Sequence, residues 1–212
     1  MVVLGLDTCL TACSVAALDG ERVLARAVEP MARGHQERLA PLARRVMGEA
    51  GLGFDRLDRI GVTVGPGSFT GLRVGLAFAK GLGQALGIPV IGVGALEALA
   101  AGVSAPGLVF AVLDAKRGQV WMQAFRDGVA LMAPDGLEIG AACARAAEFV
   151  AGDPVVLVGS GGPLLAEALP GALQAPAEGC DPAAVARLAA AKPVSSPRPL
   201  YLRAPDARLP AA

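Results

Sequence analysis

The chain has 212 residues, 54% of them hydrophobic, and a mean hydropathy of +0.53. That is enough apolar material for a sizeable core in one large domain or two small ones. Nineteen basic residues balance nineteen acidic ones, which excludes the basic excess of a protein that grips RNA by itself.

The longest apolar region, residues 85–103, is interrupted by Pro89, Glu97 and several glycines, and the opening MVVLGLDTC carries no basic leader. The expectation is a cytoplasmic protein with no membrane association. Cys9, Cys13, Cys143 and Cys180 form no CxxC pair, which argues against a zinc ribbon or a thioredoxin-like motif and for reduced thiols. The single histidine, His35, precedes a helical pattern and is expected to cap or pack there rather than to catalyse.

In chain order, residues 2–6, 12–18 and 22–28 are apolar runs, with Asp19-Gly20 as a turn between the last two. They predict a three-stranded meander. Residues 35–50 have Leu39, Leu42, Ala43, Val46 and Met47 at helical spacing, with Pro41 inside, so a kink or a late start is expected. Residues 60–64 predict a buried strand running into Gly65-Pro66-Gly67-Ser68. A long helix follows to Leu86, stopped by Gly87 and Pro89. Strand 90–93 and helix 96–101 close the first half.

The second half repeats the theme. Strand 108–113 ends at Asp114, strand 119–126 ends at Asp127-Gly128, helix 141–150 and strand 155–158 follow, and Gly159-Ser160-Gly161-Gly162 leads to helices 164–169 and 182–191. A meander followed by alternating strands and helices, occurring twice, predicts an α/β duplication and an extended proline-rich tail.

Three features carry chemistry. GPGSFTGLR, residues 65–73, joins a strand to a helix with Ser68 as N-cap. It is neither a P-loop nor a GxGxxG turn, and local chemistry fits a tight turn or an anion site equally. Gly71, Gly75, Ala79 and Gly83 form a stripe of small residues every four positions. Each glycine costs about 1 kcal/mol against alanine, so the stripe demands close approach of another backbone: a strand of the same domain or a helix of another subunit. Asp7-Thr8 and Asp114 each end an apolar strand before a hairpin, which suits a metal–phosphate cleft or a simple turn cap. Asp7, Thr8, Gly65, Gly67, Ser68 and Asp114 are therefore the candidate nucleotide or anion residues. No G-x-S-x-G nucleophile elbow occurs.

LGLDTCLTACSVAAL (4–18), HQERLAPL (35–42), VGPGSFTGLRVGLAFAKGLG (64–83), IPVIGVGALEALA (88–100) and PLYLR (199–203) resemble the TsaB (YeaZ) family in order and spacing. The resemblance implies two RNase H-like subdomains of the actin/Hsp70/sugar kinase (ASKHA) type. The first, 1–103, would carry the dimerisation helices, and the second, 104–212, would be reduced.

It also implies a non-catalytic subunit that pairs with TsaD and TsaE in transferring a threonylcarbamoyl group to the adenosine beside the anticodon of tRNAs. The chain would meet tRNA only through that complex, and would form a homodimer in isolation. No intrinsic cofactor or metal is expected, ATP and a divalent metal belonging to the partners. TsaD holds its metal through a His-x-x-x-His stretch, and Ala95 and Leu99 stand where those histidines would be. Mapped onto this chain, the pairing face is Leu39, Leu42, Val46, Phe69, Leu72, Gly75, Leu76 and Ala79. Lys116, Gln119 and Trp121 depart from the family's usual Arg, Glu and Tyr, and the second half is short, which counts against a nucleotide site there. The competing readings are a stand-alone ASKHA-type ATPase or kinase, and a metallo-glycopeptidase.

Overall fold

The structure, a computed structural model, describes residues 1–103, 105–150 and 152–203. Strands β1 (Val2–Asp7), β2 (Ala12–Asp19), β3 (Arg22–Pro30), β4 (Arg59–Thr63) and β5 (Val90–Val93) form one sheet in the order β3-β2-β1-β4-β5. The meander β1-β2-β3 is antiparallel, and β4 and β5 add in parallel. Parallel addition needs a crossover, supplied by helix α1 (His35–Glu49) before β4 and helix α2 (Phe69–Leu86) before β5. Helix α3 (Ala95–Ala101) follows β5.

The second sheet repeats this order. Strand β6 (Leu108–Lys116) pairs antiparallel with β7 (Gln119–Arg126), which also pairs with the short strands β8 (Val129–Ala130) and β9 (Asp135–Glu138). After helix α4 (Ile139–Phe149), β10 (Val155–Val158) and β11 (Leu173–Ala175) add in parallel, giving β11-β10-β6-β7-β8. The duplication read from the sequence is present, and the second copy is the smaller. Where α2 spans 18 residues, the second copy has one 3-10 turn, Gly162–Leu165. The helix expected at 164–169 does not form, because Pro163 and Pro170 leave less than two turns between them and a nucleus that short is not self-sustaining. Helix α1, by contrast, runs unbroken through Pro41.

Helix α5 (Pro182–Ala191), from the part of the chain assigned above to the second half, packs against β1, β2 and β4 of the first sheet. A side chain at Gly5 would strike the Pro182 carbonyl, and one at Gly61 would come within 3.0 Å of the Val185 carbonyl. Glycine on the strands and alanine at 183, 186 and 189 on the helix therefore permit backbone approach. Arg59 fixes the end of α5, its Nη1 donating to the carbonyls of Ala189 (2.8 Å), Ala190 (3.1 Å) and Lys192 (2.8 Å). A cation at those free carbonyls also matches the helix dipole.

The stripe on α2 has the same cause. A Cβ on Gly71 would collide with the Thr8 carbonyl, one on Gly75 would lie 2.5 Å from Thr8 Oγ1, and one on Gly83 would collide with Val90. Gly61 faces α5 while the neighbouring Val62 faces Gly75, so α5 and α2 cover opposite faces of the sheet. Of the two readings the sequence left open, the strand of the same domain is the one realised.

This separates two glycines by their environment. Gly71→Ala should lower stability by more than about 2 kcal/mol, because a rigid backbone oxygen occupies the space. Gly81→Ala, in the same helix with nothing within 4 Å, should raise it by about 0.5–1 kcal/mol through propensity alone. Denaturant midpoints of the two variants check the sign of each change.

Candidate functional site

The candidate anion residues separate into a sealed group and a cleft. Asp7 is fully buried. Its Oδ1 accepts from Thr63 Oγ1 (2.6 Å) and the Cys9 N–H (2.9 Å), and its Oδ2 accepts from the Cys180 N–H (2.9 Å). Burial pushes its carboxyl above the ordinary carboxylate range, and the Thr63, Cys9 and Cys180 hydrogen bonds pull only partly the other way. Thr8 is also buried and donates Oγ1–H to the Gly71 carbonyl at 2.7 Å, tying β1 to α2. Gly65, at φ 103°, lies under Leu200, where a Cβ would be 2.7 Å from the carbonyl oxygen. These three are structural.

Gly67, Ser68 and Asp114 do line a common cleft, together with Lys116, Trp121 and Ser160. Its volume is about 360 Å³. Ser68 caps α2 by accepting from the Gly71 N–H (3.2 Å), and its own N–H donates to the Cys9 carbonyl (2.7 Å). Asp114 repeats the Asp7 turn, accepting from the N–H two residues on, that of Lys116 (2.7 Å). Its other oxygen meets Lys116 Nζ at 2.6 Å, and the Lys116 hydrogen bond holds the Asp114 carboxyl below its ordinary value. Of the two acids expected to face each other across a cleft, one is thus locked inside the first half and the other is neutralised by its own neighbour. His35 is 7% exposed and packs at the start of α1.

The expected pairing residues need correction. Leu39, Leu42, Val46, Leu72, Gly75, Leu76 and Ala79 are buried inside the chain, in the core against the first sheet. Helical periodicity finds the apolar stripe of a helix, and on α1 and α2 that stripe is the side facing their own sheet. Phe69, half exposed, is the exception. The surface the two helices offer outward lies one step round: Gln36, Phe69, Thr70, Arg73, Val74, Ala77 and Phe78 line a groove of about 540 Å³, with only the edge of Leu39 at its floor. Helix α2 has no acidic residue, and its Arg73 and Lys80 are exposed.

A family model described as TsaD: tRNA N6-adenosine threonylcarbamoyltransferase matches residues 24–131, half of the chain. Two solved structures from Pseudomonas aeruginosa share the fold at 28% identity. One, described as an uncharacterized protein with similarity to peptidase YEAZ, has a TM-score of 0.79 over 95% of this chain and 99% of its own. The other, YeaZ, scores 0.75 over 89% and 90%. The TsaB of Bacillus subtilis is 35% identical over 122 residues, 57% of this chain and 53% of that protein.

The chain belongs to the TsaB/YeaZ family.

An uncharacterized protein of Mycobacterium tuberculosis is 36% identical over 88% of this chain and 83% of its own length. Alignment with the named TsaB proteins is shorter: the chain spans about half their length. The two-lobed ASKHA architecture expected for a TsaB relative is the one observed. Component A of (R)-2-hydroxyglutaryl-CoA dehydratase from Acidaminococcus fermentans has the same fold, at 12% identity and a TM-score of 0.56. No helix among the described residues is long and apolar enough to cross a membrane.

The state of Asp7 has a measurable consequence. Its folded value is raised above 3.8, so its contribution to stability is complete below that pH and is lost as pH rises through the folded value. Asp7→Asn removes the titration, and the amide can still accept at the Oδ1 position. Urea midpoints from about pH 4 to about pH 8 should fall with rising pH in the parent and show a shallower slope in Asp7→Asn.

Proposed function

We propose that this chain is a non-catalytic partner subunit in the biosynthesis of threonylcarbamoyladenosine on tRNA. It would dock to a TsaD-type catalytic subunit, with a TsaE-type ATPase joining the pair. The chemistry, and the ATP and divalent metal it uses, lie in the partners. The same face would pair two copies of the chain when the catalytic subunit is absent.

The observation that carries this reading is the fate of the acidic pair. A cleft enzyme of the ASKHA type works on phosphate through a metal held by exposed carboxylates. Here Asp7 is surrounded by three donors inside the core, and Asp114 is ion-paired with Lys116. Ala95 and Leu99 are buried apolar residues that pack between the lobes. The groove on α1 and α2 is the complementary support: an apolar floor between Phe69 and Phe78, with Arg73 and the polar Gln36 and Thr70 at its edge, is the composition of a docking surface. The balanced net charge fits a protein that meets tRNA only through its assembly.

Two measurements test it. The purified chain should leave unmodified tRNA unchanged with ATP, bicarbonate and threonine-derived adenylate, and should restore modification when added to the TsaD- and TsaE-type subunits of the same organism. Modification by the chain alone, after proof of purity, overturns the reading. Ala77→Glu puts a charge at an exposed position of the groove. It should weaken binding to the catalytic subunit at least tenfold by calorimetry, with the melting temperature unchanged. A charge at Leu72 would report on folding instead, since that side chain is in the core.

A further inference from the structure

Residues 193–203 have no regular secondary structure, and they pass from the first lobe to the second. Three contacts hold them to the first lobe. Pro197 lies over Gly92 of β5, where a Cβ would be 3.3 Å from the proline ring. The Leu200 N–H donates to the Val64 carbonyl at 2.7 Å, and its own carbonyl occupies the space of a side chain at Gly65. Tyr201 rests on Phe69, with ring centroids 5.6 Å apart. The next two residues are seated on the second lobe. The Leu202 carbonyl oxygen is 3.3 Å from where a Cβ on Gly136 of β9 would be, and that position is 3.5 Å from Trp121 Cδ1. Arg203 Nη2 donates to Gln119 Oε1 (2.8 Å) and to the Lys116 carbonyl (3.4 Å). Gln119 is itself held, its Nε2 donating to Glu138 Oε1 at 2.8 Å.

The two seats belong to the two walls of the interlobe cleft. Gly67 and Ser68, which follow Gly65 in the GPGS loop, line it from one side, and Lys116 and Trp121 line it from the other. Two peptide units separate Leu200 from Leu202, so their Cα atoms are at most about 7 Å apart. That length fixes how far Gly65 and Gly136 can part while both seats are filled. The lobes also meet through α3, which packs on β6 and β7, its Leu99 lying 3.3 Å from the position of a Cβ on Gly159. Side-chain packing at one helix is a pivot, because it permits small rotations and sliding. The strap is a second attachment, and it removes the rotation that the first leaves free.

We propose that the strap 193–203 is a clasp that sets the width of the interlobe cleft, and that Arg203 is its release point. Its two ends are held unequally. The first-lobe end has a backbone hydrogen bond, a proline on a glycine and a ring stack. The second-lobe end depends on one guanidinium, and one of its two hydrogen bonds is long. A change in lobe angle therefore begins at Arg203. While Arg203 is seated, the two cleft walls keep one separation. When it leaves, the β6–β7 hairpin and the GPGS loop part about α3. The clasp is a property of the chain itself and needs no partner.

Trp121 is the sole tryptophan and lines the cleft, so acrylamide quenching of its fluorescence in the full chain reports the opening. Arg203→Ala should raise the quenching constant roughly twofold or more, because loss of a charge-assisted hydrogen bond shifts a closed–open equilibrium toward the open state. Inserting two glycines between Tyr201 and Leu202 should do the same, since it adds slack between the seats and deletes no contact. Far-ultraviolet circular dichroism should match the parent in both variants. If Arg203→Ala raises quenching and the insertion does not, the strap is a local cover for Trp121 and the clasp is overturned. A rise with the insertion alone overturns Arg203 as the release point. Unchanged quenching in both, or a rise accompanied by loss of the circular dichroism signal, overturns the proposal outright.

Discussion

Two helices press onto one five-stranded sheet from opposite faces, and both reach it because glycine removes the side chains that would lie between. On one face Gly71 and Gly75 of α2 meet Thr8 and Val62, and on the other Gly5 and Gly61 of the strands meet α5. Each glycine in a helix costs propensity, and each in a strand costs packing area. The return is backbone-to-backbone contact, and with it the hydrogen bond from Thr8 to the Gly71 carbonyl and the cap at Ser68. The position of the GPGS loop, and so one wall of the cleft, follows from that contact.

The duplication lets each lobe be compared with the other. Asp7 and Asp114 end corresponding strands and make the same turn with the amide two residues on. In the first lobe, Thr63 from β4 and the Cys180 amide ahead of α5 close over the carboxylate. In the second, no long helix covers the equivalent edge, and Asp114 stays at the surface with Lys116. One inherited position has become a core fastening and the other a solvent-facing ion pair, whose value to stability is small. Neither remains a free carboxylate, which is the observation behind the partner-subunit role proposed above.

Most of the element order was legible in the sequence, because alternation and helical spacing are local. The strands around Asp19-Gly20, the long helix ended by Gly87, and the repeat beginning at residue 108 are all of that kind. The site was legible only in part. Leu39, Leu72, Gly75 and Ala79 mark a helix stripe, but a stripe says that something approaches and not what. Deciding between a strand of the same lobe and a foreign helix needed the positions of Thr8 and Val90, which no periodicity supplies. The same limit hid the closure of Asp7, whose partner Cys180 is 173 residues away, and the meeting of Phe69 with Tyr201. Of the outward groove the sequence picked out only Leu39 and Phe69, because Gln36, Thr70, Arg73 and Ala77 lie off the apolar stripe that helical spacing detects.

The grip of Arg59 on the last carbonyls of α5 has a consequence for how the protein is made. The sheet that begins at Val2 is covered on one face only when residues 182–191 arrive, after the whole second lobe has been synthesised. Until then Gly5, Gly61 and their apolar neighbours face water on a nascent chain still attached to the ribosome. Closure is a contact between segments far apart in the sequence, slow by that separation and exposed to aggregation while it waits. Such a chain completes its first lobe last.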